Sequence, residues 1–346
     1  MPSKAPFLDA MRSQPDQLAL VRTRLLGELD AAKLAEWKPG ETIAVVAMGA
    51  SSHSGNALVT VLAAAGTRAV NLVASDLEGA APGYQPADHY IIVSESGRSP
   101  EPIEVARGFT KGRRIGISNH PEAPISEVVD TSLGFGGFAD SGVYTIGYTS
   151  TLMAYALLLD HLDVVPAADD VARIPELVGE ALLALDQVAS VVGATVASAS
   201  SIDVVGRGVS FSTASEFSLM IREGLRMQSA AFETFQYLHG PMESATGSAM
   251  VVLFGEGREL TIPDPLVAAG TKVVLVTSAD ARDIPSAGHE NLTIVPIASG
   301  LSGFVRPIIE TVFAQLVLAH GIEHKPFPIE QFVFEGLGTK IGDPTQ

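Results

Sequence analysis

Glu223 and His239 stand sixteen residues apart, Glu223 near the end of a largely apolar helical stretch and His239 in Phe235-Gln-Tyr-Leu-His239-Gly-Pro-Met, where Gly-Pro marks a sharp turn. A carboxylate and an imidazole suffice to interconvert an aldose and a ketose. One carries a proton between adjacent carbons, and the other opens the ring or protonates the carbonyl. Each also has a plain structural reading, Glu223 as a solvated helix charge beside Arg222 and His239 as a turn histidine. A second group lies upstream in Ser94-Glu95-Ser96-Gly97-Arg98-Ser99-Pro100-Glu101, between the apolar run Ile91 to Val93 and a helical stretch from Ile103 to Phe109. Ser99 suits a helix N-cap and Pro100 the first turn, where its missing N–H costs nothing. Three hydroxyls, the N–H groups of a helix start and a glycine that lets backbone approach closely would form a neutral cradle for phosphate. The alternative is an ordinary capped helix after a tight turn. Gly49-Ala50-Ser51-Ser52-His53 forms the corresponding turn after the first strand, placed to line the same pocket. His53 there is a substrate ligand or a packing residue.

These groups need a scaffold, and the composition bounds it. The chain has 346 residues, which suits two modules better than one core. Its 47% apolar and 18% charged residues exclude a largely disordered chain. The absence of cysteine excludes disulfides, thiolate nucleophiles and Cys-ligated metals. With 22 Lys and Arg against 39 Asp and Glu, the net charge is −17, a field that repels nucleic acid and anionic membranes. In so acidic a chain a phosphate must be captured by local dipoles. The N-terminal Met-Pro-Ser-Lys-Ala-Pro-Phe carries no apolar leader, so the default expectation is a cytoplasmic protein.

From Glu41 onward, strand-like runs (Thr42 to Ala47, Tyr90 to Val93, Arg114 to Ile117) alternate with helical stretches (Leu58 to Ala65, Ile103 to Phe109, Leu152 to Leu162), the pattern of βαβ units on a parallel sheet. Val171 to Ser198 reads as one long helix or a helix pair leading out of a first module. A second series follows: Ile202 to Val205, a helix reaching about Met227 and opening with the capping box Thr213-Ala-Ser-Glu216, strands near Met250 to Leu253, Thr271 to Val276 and Leu292 to Val295, and a helix from Gly303 to His320. Val46-Ala-Met-Gly49-Ala-Ser51 and Val205-Gly-Arg-Gly208-Val-Ser210 mark equivalent strand-to-helix turns, the mark of a duplication. The expected organisation is an N-terminal helical segment (1–40), a first module (41–165), a connecting helix (166–200), a second module (201–320) and an extended tail (321–346). Each module is a flavodoxin-like, doubly wound α/β sheet.

Together these motifs resemble the double sugar-isomerase (SIS) domain family, which includes the isomerase half of glucosamine-6-phosphate synthase. Ser94-Glu-Ser96-Gly97-Arg-Ser99 resembles the family's Ser-Gln-Ser-Gly-Glu-Thr phosphate loop, Gly49-Ala50-Ser51 its Gly-Thr-Ser turn, and Val143-Tyr-Thr145 its Val-Ala-Ser segment touching the sugar. Glu223 and His239 match its acid-base glutamate and ring-opening histidine. The resemblance implies a phosphorylated sugar or amino-sugar substrate, no metal or organic cofactor, and a homodimer in which the histidine loop reaches across to share each site. The departures narrow it. Met220 stands where the synthases have a lysine, and the tail Pro326-Phe-Pro-Ile-Glu-Gln-Phe-Val lacks their carbonyl-engaging lysine, the later Lys340 being out of register. With no cysteine to run a glutaminase, the expectation is a phosphosugar isomerase or a deglycase of fructosamine 6-phosphates, with no lysine adduct, rather than a glutamine-dependent synthase. The alternative is a non-catalytic phosphosugar sensor. Glu95, where the family has glutamine, puts a carboxylate beside the presumed phosphate; either Arg98 compensates it or the substrate is not a simple 6-phosphate.

Overall fold

The computed structural model describes residues 4–301, 303–334 and 337–342; the ends of the N-terminal and tail segments named above fall partly outside them. The chain opens with α1 (Phe7–Ala31), whose Phe7, Met11, Leu18, Val21, Leu25 and Leu29 recur at helical spacing and are all buried. There follow β1 (Thr42–Ala47), α2 (Gly49–Ala64), β2 (Arg68–Val73), β3 (His89–Val93), α3 (Pro100–Arg107), β4 (Arg114–Ser118), β5 (Thr131–Gly134) and α4 (Ile146–His161). A helix pair, α5 (Ala168–Ala184) and α6 (Asp186–Ser198), bends by 63° at Leu185. The second half runs β6 (Ser201–Gly206), α7 (Ser210–Met220), β7 (Ser229–Glu233), α8 (Thr234–Leu238), β8 (Ala249–Phe254), α9 (Pro263–Ala268), β9 (Lys272–Thr277), β10 (Leu292–Pro296) and α10 (Val305–Ile322).

The strands make two five-stranded sheets, all parallel, in the orders β2-β1-β3-β4-β5 and β10-β9-β8-β6-β7. Read outward from β1 and from β6, the two orders are the same. β1, β3 and β8 are buried along nearly their whole length, as sheets covered on both faces require. Between the sheets lie α4 and α10, apolar all round and buried almost end to end. By length and composition α10 could cross a membrane, yet 89% of it is buried inside the fold, so it is the core helix joining the halves. α1 ties them further: the buried Gln14 donates to Gln315 Oε1 at 2.7 Å and accepts the Thr149 hydroxyl at 2.9 Å.

Three strands carry no clear signal in the sequence. β2 is a half-exposed edge, β5 has four residues, and β7 reads Ser-Ala-Ala-Phe-Glu, too small and polar for strand propensity to show. Two local readings are corrected. Thr213 lies inside α7, which begins at Ser210, and donates to Pro307 O at 3.3 Å, so Thr213 to Glu216 is no capping box. The helix toward Met227 also ends differently: α7 stops at Met220 and widens into a π turn, Ile221–Leu225, closed by Arg226 in the left-handed region (φ 54°). The tail packs as expected of a covering segment, with Ile329 buried, Glu330 accepting the Phe7 N–H at 3.0 Å and Arg226 over the Phe327 ring at 3.8 Å.

Candidate active site

β1 and β3 are neighbours, so the turns after them open side by side at the carboxyl end of the first sheet. Ser94 N–H donates to Ile117 O at 3.1 Å, fixing the loop to β4, and Gly97 N–H donates to Ser94 O at 2.8 Å. Gly97 has φ +63°, and a Cβ there would lie 2.3 Å from Ala123 Cβ, so only glycine fits both the turn and the space. Ser94 and Ser99 are buried with their hydroxyls 3.1 Å apart, and Ser96 Oγ accepts the Arg98 N–H at 3.2 Å. Ser99 is the N-cap of α3 by backbone, but its hydroxyl makes no cap bond. With prolines at 100 and 102, Glu101 supplies the single N–H of the first three helical positions. Hydroxyls therefore outnumber helix N–H groups in this cradle. Gly49, with φ +52°, Ala50 and Ser51 start α2 beside it, and the Ser51 carbonyl is held by Ser54 Oγ at 2.6 Å.

The tail closes over this loop. Ile341 N–H donates to Arg98 O at 2.8 Å, the Arg98 guanidinium donates back to Ile341 O at 2.8 Å, and Lys340 Nζ lies 3.3 Å from Ser99 Oγ. Lys340 is thus in the site, correcting its dismissal on register, and Arg98 holds the tail rather than neutralising Glu95.

Glu95 is buried, and its Oε1 accepts the Asn119 amide at 3.0 Å. The Tyr144 hydroxyl also bonds it. Burial first, then the nearby Asp140 carboxylate, push it up to about 7. Asp140 organises the segment before α4, accepting from Ser141 N at 2.8 Å, Thr145 Oγ1 at 2.6 Å and Gly147 N at 2.8 Å. Of the proposed sugar contacts, Val143 has its side chain in the core and Thr145 bonds Asp140 through its hydroxyl, while Tyr144 between them bonds Glu95.

The second half supplies Glu223 from the π turn, a geometry that recurs at functional sites. Burial, then the Glu216 carboxylate seven residues back, push Glu223 up to about 8, and Lys340 pulls it down. Burial first, then the Glu95, Asp140 and Glu223 carboxylates, push the Tyr144 phenol well up. Glu216 is buried and meets His53 Nδ1 across the halves at 3.1 Å, an interaction that ties the start of α2 to α7. His239 is not brought to Glu223. It caps α8 with an exposed side chain that has no hydrogen bond or ion pair among the described residues. Asp140, Tyr144 and Lys340 are the residues of this cluster that sequence reasoning missed; an aspartate five residues before a helix cap is the one local signal among them.

The second sheet carries a glutamate at the position equivalent to Glu95. Gly255 N–H donates to Val276 O at 3.1 Å after β8 as Ser94 N–H does to Ile117 O after β3, which puts Glu256 at the place of Glu95. Glu256 accepts the Ser278 hydroxyl and pairs with Arg306, second residue of α10, at 2.7 Å. The second residue of α4 is Gly147, where a Cβ would lie 2.6 Å from Glu95 Cγ. The guanidinium that neutralises one copy has no counterpart on α4 in the other.

No family model matches the chain. Among curated proteins it resembles the glutamine–fructose-6-phosphate aminotransferase of Bradyrhizobium diazoefficiens, 23% identical over 252 residues, which is 67% of this chain and 41% of that protein. The chain thus spans less than half the length of that relative. Among solved structures it superposes on the C-terminal domain of glucosamine-fructose-6-phosphate aminotransferase from Francisella tularensis with TM-score 0.78, 18% identity and coverage of 94% of this chain and 98% of that one. It superposes on glucosamine-6-phosphate deaminase from Thermotoga maritima with TM-score 0.70, 17% identity and coverage of 95% and 98%. The chain shares the fold of these two structures.

Proposed function

We propose that the chain is a member of the SIS family, built of two modules (41–165 and 201–320) joined by the 166–200 helices, and acts on a phosphorylated sugar or amino sugar as an isomerase or deglycase. The observation that carries the proposal is the half-buried Glu223 carboxyl, within electrostatic reach of Tyr144 and of Lys340, the lysine that bonds Ser99 in a loop of three serines suited to an anion. The names of the matched structures, phosphosugar isomerases and a deaminase among them, support an enzyme of this kind. Ser94, Ser96 and Ser99 take the phosphate, with Lys340 adding a cation beside them. Glu223 abstracts the proton next to the carbonyl and returns it to the neighbouring carbon; removal of an amine from C1 of a ketosamine uses the same enolamine chemistry. A thermal-shift panel of phosphorylated ketoses, aldosamines and fructose-amino acids tests this, since a ligand at a hundred times its Kd stabilises by about 2.7 kcal/mol. Silence across the panel contradicts it, and binding without turnover returns the sensor reading.

Lys340→Met is expected to raise KM roughly 10- to 100-fold, the worth of one charge-assisted hydrogen bond, while borohydride added during turnover traps no sugar on the protein. A trapped adduct on Lys340 would give this lysine the carbonyl role instead. His239 is proposed to act in a partner's site within a homodimer, which its exposed position supports. Mixing Glu223→Gln and His239→Ala chains should then restore activity, each heterodimer regaining one of its two sites, or about half of wild-type turnover. No recovery in verified heterodimers would sink site sharing.

A further inference from the structure

The strand-to-helix turn that forms the anion loop after β3 is repeated after β8, and there it is already filled. With Gly255 in the place of Ser94 and Glu256 in that of Glu95, Gly257 falls at Ser96, and the following helix is capped by Ile262 where the first has Ser99, so all three of the cradle's hydroxyls are missing. A Cβ at Gly255 would lie 2.5 Å from Cγ, Cδ and Oε2 of Glu259, so the Glu259 carboxyl group occupies the space that the Ser94 side chain takes in the first copy. Glu259 is 3% exposed. Its Oε2 accepts the Gly257 N–H at 3.1 Å and its Oε1 accepts the hydroxyl of the fully buried Thr234. A carboxylate on a backbone N–H and a hydroxyl, beneath a glycine that leaves room for it, is bonded as a bound oxyanion would be. Burying that charge is tolerated only with such donors in place.

We infer that Glu259 is an internal anion occupying the second cradle, so that the chain carries one exchangeable oxyanion site rather than two, and that vacating this position opens a second site for sulfate or phosphate. The count of one rests on the reading of Ser94 to Ser99 as an anion loop; the occupancy by Glu259 does not. The arrangement also accounts for how a duplicated fold acts on a single substrate per copy: the second half lends Glu223 while its own cradle is closed.

The test is an amide NMR titration with sodium sulfate, whose charge is constant from pH 6 to 9, on the wild-type chain and on Gly255→Ser/Glu259→Ser. In the wild type, amides of 94–99 should shift saturably while those of 255–257 stay still. The double variant should gain a second saturable set at 255–257, and adding Ser96→Ala/Ser99→Ala to it should remove the first set alone. A saturable shift at Gly257 in the wild type, read on an unaltered fold, would overturn the inference, as would a folded double variant with no new set. If the wild type shows no shift at 94–99 but the double variant responds at 255–257, the anion loop reading fails and the Glu259 inference stands. Silence in both proteins ends both.

Discussion

Glu223→Gln should lower turnover by about 10²- to 10⁴-fold, the usual worth of general acid-base catalysis, with substrate affinity retained. Glutamine keeps the size and the hydrogen-bonding capacity of the side chain but cannot accept a proton. Because burial and Glu216 hold Glu223 protonated up to about 8, wild-type activity should climb with pH through that region as the base form appears, and the variant should lack this limb. Stability should move the opposite way. A carboxyl raised from 4.5 to about 8 binds its proton more tightly in the folded chain than in the unfolded one. The folded state therefore loses stability as pH rises from the ordinary carboxylate range to about 8, where the effect levels off. Glu95, raised to about 7, acts in the same direction over a shorter window. Thermal melts between pH 5 and 9 should thus show a shallower alkaline decline for Glu223→Gln than for the wild type, shallow but not flat. A variant with near-normal turnover, or an unchanged melting profile, would remove Glu223 from the mechanism.

Ser96→Ala/Ser99→Ala should raise KM for a phosphorylated substrate by roughly 10²- to 10⁴-fold, since two hydrogen bonds to a charged group are worth about 1.5 to 3 kcal/mol each. Turnover at saturation should change far less, because the phosphate is remote from the reacting carbons and binds alike in ground and transition states. The variant loses more than two hydroxyls: Ser99 Oγ is also the partner of Lys340 and Ser94, so the tail should loosen over the loop. Circular dichroism and the melting temperature separate this from misfolding, and an unphosphorylated sugar analogue should bind the variant and the wild type equally. An unchanged KM would take the phosphate away from this loop.

The parts of this account legible in the sequence are those in which side-chain order follows backbone order. Ser94 to Ser99 stand between an apolar strand and a proline-opened helix, and the parallel series of strands shows in β-branched runs such as Ile91-Ile-Val93 and Val273-Val-Leu-Val276. The turns at 49–51 and 208–210 stand at the starts of α2 and α7, and the two sheets carry the same strand order. What escaped depends on contacts between distant segments. Lys340 reaches Ser99 from a tail in which the described residues after Ile322 form no helix or strand, so counting register has no meaning there. Glu216 looked like a capping residue because nothing local shows that His53, 163 positions away, meets it. The π turn at Ile221–Leu225 arises from packing against α10 and the tail, where a Cβ on Gly224 would lie 2.7 Å from Leu318 and 3.2 Å from Ile329. No propensity encodes that. Glu95 could be read as a substitution, but not that Gly147 lies against it where the second half has Arg306 paired with Glu256.

The central claim is that Glu223 moves a substrate proton beside a phosphate held by the serine loop. Incubating the protein in D₂O with each phosphosugar that raises its melting temperature, and following the hydrogens on the carbons flanking the carbonyl by ¹H NMR, tests it most directly. Deuterium should enter at one of those carbons with the wild-type chain, and Glu223→Gln should slow incorporation at least about a hundredfold, in line with the loss of a general base. Bound phosphosugars that exchange no carbon-bound hydrogen, or equal incorporation by the two proteins, would contradict it.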